Sequence, residues 1–208
     1  GAIQATRSGG YQNLNQLQLE LTKRFSQSFM TQLQYSWTRS LDDAPWDGAP
    51  QIWQRPELDY GNTEGVRRHY LVANYIIELP FGKGRRWLSG TNALLDKLVG
   101  GWQISGITTY GSGSPFSLSF VVPSTDVGWW GGRPDVVAGA SLYAGQQSGS
   151  HDVIKGVQWF NPAAFTAPQP WQWGNSARNM LWGPGIIMWD MSFGKEFRIP
   201  KFESHQLQ

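Results

Sequence analysis

The chain has 208 residues, a formal net charge of +2, 15% charged residues, 25 glycines, 12 tryptophans and no cysteine. A charge this close to neutral disfavours a nucleic-acid partner, which usually needs a dense array of Lys and Arg. The absence of cysteine excludes disulfide bonds and thiolate metal sites. Few charges together with abundant glycine and aromatic residues are typical of strands joined by turns, so the sequence predicts an all-β fold.

Apolar and polar residues alternate along several segments, which is the period-two pattern of strands with one apolar face. Between the third and fourth of these segments, residues 93–99 predict one or two helical turns that end at Gly100 and Gly101. Stretches rich in Gly, Pro and Trp predict long loops at about 41–66 and 113–187. In chain order, the predicted strands cover residues 13–25, 29–38, 68–80, 102–110, about 189–196 and 204–208.

The connections between these strands are, in order, short, long, intermediate, very long and short. This near alternation is typical of an outer-membrane barrel, which has short periplasmic turns and long external loops. Several strands also carry Tyr or Trp towards their ends, where such rings settle at the level of the lipid headgroups. No run approaches the roughly 18 apolar residues of a membrane-spanning helix, but barrel strands need only about 10 alternating residues.

The predicted strands have one apolar side and one polar side. We expect the apolar side to face lipid and the polar side to face the lumen of a barrel. Because bacterial single-chain barrels have at least eight strands, about six strands predict an incomplete antiparallel up-and-down barrel, and we expect the chain to be a fragment. The expected lipid-facing residues are Leu17, Leu19, Leu21, Leu33, Tyr35, Leu71, Tyr75 and Ile104. The expected lumen-facing residues are Gln18, Glu20, Gln32, Gln34, Asn74, Gln103 and Asp190.

A series of short strings resembles, in the same order, the barrel of TonB-dependent receptors of the Oar-like group. Members of this group carry a carboxypeptidase-regulatory-like domain ahead of an N-terminal plug. The resemblance covers nearly the whole chain. The strings are YSWTRSLDD at 35–43, RHYLVANY at 68–75, ELPFGKGRR at 78–86, GWQISGI at 101–107, GSPF at 113–116, RPD at 133–135, WFNPAAF at 159–165, GNSARN at 174–179, GPG at 183–185 and WDMS at 189–192.

The resemblance implies a segment near the C-terminal end of a 22-stranded barrel in the bacterial outer membrane. Such a receptor takes up a bulky ligand, for example a siderophore, a glycan or a peptide, with energy supplied through TonB. The implied partners are outer-membrane lipid, the plug and the remaining strands of the receptor, and the TonB complex through the plug. These 208 residues contain no plug, TonB box, regulatory-like domain or closing strand, so no plug-borne contact is transferred to them.

The sequence offers no catalytic motif and no metal site, so we expect neither an enzyme nor a cofactor. Its three histidines, at 69, 151 and 205, lack the spacing that metal sites favour. Tryptophans in the two long loops are the remaining candidates for function, because binding residues concentrate in loops. They could bind a ligand by stacking on it, or they could pack the loops against one another. These residues are Trp46, Trp53, Trp129, Trp130, Trp171 and Trp173.

Two alternative readings stay open at this point. If the Trp-rich loops cover the leucine face, the chain is a soluble carbohydrate-binding β-sandwich. If residues 116–122 and 153–160 both form membrane strands, eight strands are available and a small self-contained barrel results.

Overall fold

The computed structural model describes residues 9–26, 28–44, 51–52, 54–120, 132–143 and 159–196. Most of its strands are antiparallel and lie in one large sheet. Five of the described strands have at least 10 residues. In chain order, the elements are β1 (Gln12–Ser26), β2 (Phe29–Asp42), a 3-10 helix (Pro56–Asp59), β3 (Gly61–Asn62), β4 (His69–Glu78), α1 (Ala93–Val99), β5 (Trp102–Gly111), β6 (Pro115–Phe116), β7 (Asp135–Val136), a second 3-10 helix (Pro162–Ala164), β8 (Phe165–Thr166), β9 (Leu181–Trp182) and β10 (Ile186–Lys195).

The large sheet has the strand order β1-β2-β4-β5-β10, with the short β3 beside β2. Each long strand therefore lies next to the long strand that precedes it in the sequence, which is an up-and-down topology. Hydrogen bonds from Glu78 N to Ser28 O and from Thr38 N to Arg68 O, at 2.8 and 2.9 Å, show that β2 and β4 run antiparallel in one register. Among the described strands, β1 and β10 lie at the edges of the sheet. The predicted all-β, antiparallel, incomplete barrel segment is confirmed.

The predicted strands at 13–25, 29–38, 68–80 and 102–110 match β1, β2, β4 and β5. The fifth, predicted at about 189–196, begins three residues earlier as β10. The sixth, predicted at 204–208, lies outside the described residues.

The predicted helical turns are confirmed as α1, which begins after Asn92. The side chain of Asn92 accepts a hydrogen bond from Leu95 N at 2.9 Å, the usual contact of an N-cap. The helix ends at Val99, and Gly101 then adopts a φ of +75°. A Cβ atom at Gly101 would lie 2.4 Å from the carbonyl oxygen of Glu196, so a glycine is required where the chain enters β5.

The stretch predicted as a long loop at about 41–66 contains short regular elements. β2 continues to Asp42, and its last two residues pair with β3, with Leu41 opposite Asn62. The 3-10 helix Pro56–Asp59 lies in the same stretch. Proline and glycine residues usually end a strand. Here the end of β2 pairs with β3, which comes some 20 residues later in the chain, and local composition does not show such a pairing.

The self-contained barrel required a membrane strand at 116–122, and the described part of that stretch, residues 116–120, does not form one. Phe116 pairs with Leu181 in the two-stranded sheet of β6 and β9, and residues 117–120 are not in a strand. Residues 121–122 and 153–158 lie outside the described part of the chain, so the second strand that this reading needs is not described. β7 and β8 form another two-stranded sheet.

The chain divides into two compact units. The strand unit (residues 18–35, 71–110 and 187–208) holds α1 and parts of the five long strands. The loop unit (residues 1–17, 36–70 and 111–186) holds β3, β6 to β9 and both 3-10 helices, and it contains the fully buried residues Leu181, Asp59 and Pro134. Within the described residues, no helix combines the length and the apolar character needed to cross a membrane.

Candidate functional site

The strand unit has an apolar face that the described residues leave uncovered. On β1, Leu19 and Leu21 are 55% and 60% exposed. On β10, Trp189 and Phe193 are 68% and 67% exposed. Burying apolar surface is worth roughly 25 cal/mol per Å², so a continuous apolar face of this kind needs an apolar partner. A second sheet, as a soluble sandwich would have, does not cover these side chains in the part of the chain that the structure describes.

The interior strands continue this face. The hydrogen bonds between β2 and β4 place Tyr35 opposite Leu71, and both side chains are partly buried by their neighbours. The hydroxyl oxygen of Tyr75 lies 3.5 Å from Thr108 Oγ1 on β5. A Cβ atom at Gly106 would come within 2.8 Å of that hydroxyl oxygen, so the glycine leaves room for the tyrosine ring.

The opposite face of the strand unit carries polar side chains. Gln32 Nε2 donates a hydrogen bond to Glu20 Oε1 at 2.9 Å across β1 and β2. Gln18, Gln34 and Asp190 are exposed. The separation of the expected lipid-facing and lumen-facing residues onto opposite faces therefore follows from the strand register, whereas their contacts with lipid and with a lumen stay predictions.

The loop unit has a buried ionic cluster, which we define as Asp42, Asp59, Arg133 and Arg178. Arg178 is only 5% exposed, and its guanidinium pairs with the carboxylate of Asp42. It also donates to the carbonyl oxygens of Asp59 and Asp42, both at 2.7 Å. The guanidinium of Arg133 pairs with the carboxylate of Asp59 and donates from Nε to Ser176 O at 2.8 Å. Because every buried charge has a partner, the cluster avoids the large cost of desolvating a lone ion.

Glycines allow the backbones around the ionic cluster to approach closely. A Cβ atom at Gly61 would lie 2.3 Å from the carbonyl oxygen of Arg178. One at Gly174 would lie 1.7 Å from the carbonyl oxygen of Arg133. No side chain fits at either position without movement of the backbone.

Two pairs of hydrogen bonds, each involving an asparagine side chain, connect segments of the loop unit. Asn62 Nδ2 donates to Asn179 O at 2.9 Å, and Asn179 Nδ2 donates to Asn62 O at 2.7 Å. Asn175 N donates to Asp135 Oδ1, and Val136 N donates to Asn175 Oδ1, both at 2.8 Å. These bonds satisfy backbone groups that irregular segments would otherwise leave without partners.

Aromatic side chains form the apolar part of the loop unit. The guanidinium of Arg68 lies 4.6 Å from the ring centroid of Trp182, a cation–π contact. Trp159 Nε1 donates to Trp182 O at 2.6 Å. The rings of Phe116 and Phe165 both contact Phe160 edge-on, at 6.4 and 6.0 Å between centroids. The loop unit is thus an ordered structure with its own small core.

Of the tryptophans predicted to bind a ligand, the structure describes Trp171 and Trp173. Trp171 is 74% exposed and has a φ of +64°, so its ring stands out from the loop unit. Trp173 is partly buried, with its ring close to Gly132. Their role in binding stays a prediction. Trp46, Trp53, Trp129 and Trp130 lie outside the described residues.

The ionic cluster was not predicted from the sequence. Three of its four members occur in the strings that carry the resemblance, at 35–43, 133–135 and 174–179, but nothing in those strings says which charges meet. As for metals, the described ranges contain no group of His, Asp and Glu side chains that could hold an ion.

A family model described as "Outer membrane beta barrel domain" matches residues 1–208, the whole of the sequence. No curated protein and no solved structure matches the chain.

Proposed function

Since the chain belongs to the outer membrane β-barrel domain family, it is a bacterial outer-membrane protein, and we propose that it forms part of the barrel of a TonB-dependent receptor. The receptor takes up a bulky ligand, for which a siderophore, a glycan and a peptide are the candidate classes. The soluble sandwich no longer applies, because a barrel of this family associates with membrane lipid. The proposal gives the chain no catalytic role.

The ordered loop unit is the observation that carries this proposal. The strings at 35–43, 133–135 and 174–179, which resemble the Oar-like receptors, contribute Asp42, Arg133 and Arg178 to one buried ionic cluster. A receptor that must recognise one bulky ligand needs a rigid surface, since immobile side chains lose less entropy on binding.

The open sheet implies a barrel with further strands. β1 and β10 are its edges in the described residues, and a lipid-exposed edge with unpaired backbone groups is not stable in a bilayer. Further strands must therefore complete the barrel. Barrels of about 22 strands hold a plug in the lumen, and a plug is where the TonB complex would act.

Trp171 is the described candidate for contact with the ligand. Its ring is exposed on an ordered segment, which is the arrangement that lets an aromatic side chain bind with little loss of freedom. Trp173, Trp46, Trp53, Trp129 and Trp130 are the further candidates of the same kind.

Uptake measurements in the native bacterium test the proposal. Radiolabelled ferric siderophore, oligosaccharide and oligopeptide are supplied to wild-type cells, to cells lacking this gene and to cells lacking TonB. We expect at least one label to enter only when both the gene and TonB are present. Entry that depends on the gene but not on TonB would contradict the proposal, as would steady open-pore conductance of the purified full-length protein in planar bilayers.

A further inference from the structure

The connection between β4 and β5, residues 81–101, exposes an unusual amount of apolar surface. Monomeric proteins rarely leave large apolar side chains clustered in water without a partner. Here the exposed fractions range from 48% to 76%, in a segment that belongs to the strand unit. The side chains are Trp87, Leu88, Leu94, Leu95 and Leu98.

The leucines of this segment share one face of α1. Leu94, Leu95 and Leu98 follow the spacing that brings residues to the same side of a helix. Ala93, which is also exposed, lies on the opposite side. The helix is therefore amphipathic and turns its apolar side away from the rest of the described strand unit.

The end of α1 is attached to the apolar face of the sheet. Trp102 Nε1 donates a hydrogen bond to Leu98 O at 2.9 Å, and Lys195 Nζ donates to the same oxygen at 2.6 Å. Trp102 lies two positions before Ile104 on β5, and Lys195 lies two positions after Phe193 on β10. Because every second side chain of a strand lies on the same face, Trp102 and Lys195 continue the apolar face of the sheet. This attachment puts α1 on the side of the sheet that we expect to face lipid.

The same segment carries several basic side chains, and Lys195 of β10 lies close to it. Arg85 pairs with Glu78, and Lys195 lies 4.7 Å from the ring centroid of Trp102. Lys83, Arg86 and Lys97 are exposed on the connection. Among the acidic groups, the Asp96 carboxylate already accepts a hydrogen bond from Lys83 N at 2.5 Å. The segment thus combines exposed leucines, an exposed tryptophan and an excess of positive charge, and Trp102 follows it directly at the start of β5.

We propose that residues 81–101 form an interfacial anchor that lies in the headgroup region of the phospholipid leaflet beside the barrel wall. Leu94, Leu95 and Leu98 enter the boundary with the acyl chains, and the basic side chains contact the phosphates of the headgroups. The lipid is chosen as partner because the segment is continuous with the apolar barrel face and carries charge complementary to anionic lipid. Trp87 and Trp102 suit the same depth, since tryptophan prefers the interface.

Cysteine labelling tests this anchor, because the sequence contains no cysteine of its own. Leu94→Cys, Leu98→Cys and the control Ala93→Cys are made one at a time in the full-length protein and labelled with a polarity-sensitive fluorophore. Each protein is reconstituted in vesicles of phosphatidylethanolamine and phosphatidylglycerol. The vesicles contain either nitroxide-labelled lipid or no nitroxide, and iodide is the aqueous quencher.

The anchor predicts blue-shifted emission at positions 94 and 98, strong quenching by the nitroxide lipid and loss of quenching by iodide. Position 93 should show the reverse pattern. Equal access of iodide to positions 93, 94 and 98 would overturn the proposal. Protection from iodide without quenching by nitroxide lipid would also overturn it, because a second copy of the protein would then cover the leucines.

A charge variant gives an independent reading that does not depend on the leucines. Lys83→Gln, Arg86→Gln and Lys97→Gln are combined in the Leu98→Cys protein, and quenching by nitroxide-labelled phosphatidylglycerol is compared with quenching by nitroxide-labelled phosphatidylcholine. The unmodified charges should favour the anionic lipid, and the triple variant should lose that preference. An absence of preference before the charges are removed would contradict the contact with headgroup phosphates.

Discussion

The guanidinium group of Arg178 pairs with the carboxylate of Asp42, although the two residues are 136 positions apart in the sequence. Asp42 is the last residue of β2, and Arg178 belongs to the segment that leads into β9. Both side chains are almost completely buried. The pair therefore ties the end of a long strand to a distant loop segment, and both belong to the loop unit.

Replacing Arg178 by Met should destabilise the loop unit by about 3–5 kcal/mol, because Asp42 would stay buried without its cation. Amide hydrogen exchange of the full-length protein measures this as faster exchange at residues 59–62 and 176–179. Adding Asp42→Asn to the variant should cost less than the sum of the two single changes. Additive losses would contradict a direct pair.

The exposed pair of Arg55 and Glu57 is a control for this prediction. Its side chains are 61% and 62% exposed, and the Nε–Oε1 distance is 3.1 Å. A hydrogen bond from its own backbone amide, together with one from Arg55, lowers the pKa of the Glu57 carboxyl group. Arg55→Met should leave hydrogen exchange in the loop unit unchanged, because water screens such pairs strongly.

Replacing Gly174 by Ala should disrupt the ionic cluster from the backbone side. The added Cβ would collide with the carbonyl oxygen of Arg133, which cannot rotate away as a side chain does. We expect a loss of about 1–3 kcal/mol, the usual cost of overpacking, seen as faster cleavage of the loops by an added protease. Gly90→Ala is the matched control, because nothing lies within 4 Å of its Cβ position. Equal cleavage of both variants would rule out the close approach at Gly174.

Replacing Trp171 by Ala should weaken ligand uptake without changing the amount of protein in the outer membrane. Aromatic contacts contribute about 0.5–1.5 kcal/mol, which corresponds to roughly a two- to ten-fold loss of apparent affinity. Uptake of whichever label depends on this gene and on TonB gives the readout, and Gln172→Ala at the neighbouring exposed position is the control. The double change Trp129→Ala with Trp130→Ala should act in the same direction. Unchanged uptake in both Trp variants would assign these rings to packing of the loops.

The long strands and α1 could be predicted from the sequence because their signals are local. Alternation around Leu17, Leu19 and Leu21 identifies β1 and its faces, since a strand turns every second side chain to the same side. The segment 93–99 has strong helix formers, and Asn92 before it and the glycines at 100 and 101 after it likewise mark both ends of α1. These features require no knowledge of distant parts of the chain.

The pairing inside the loop unit could not be predicted because it is non-local. β3 is only two residues long and has no periodicity of its own, so it exists only through its pairing with Leu41 and Asp42. Likewise, Arg133 and Arg178 lie in segments rich in glycine and aromatic residues, far from Asp59 and Asp42 in the sequence. The carboxylate with which each arginine pairs is determined by how the loops fold. That folding has no signature in the sequence near either arginine.

The orientation of the sheet in the membrane is the central claim, and adjacent substitutions on β1 test it most directly. Leu19 and Gln18 lie on opposite faces near the middle of the strand, and both are exposed in the described sheet. In the full-length protein folded into phospholipid vesicles, urea titration should show that Leu19→Arg lowers the free energy of unfolding by about 2–4 kcal/mol, because the charge enters hydrocarbon. Gln18→Arg should change it little, since that side chain faces water in the lumen. A larger loss for Gln18→Arg than for Leu19→Arg, or equal losses, would contradict the assignment of the leucine face to lipid.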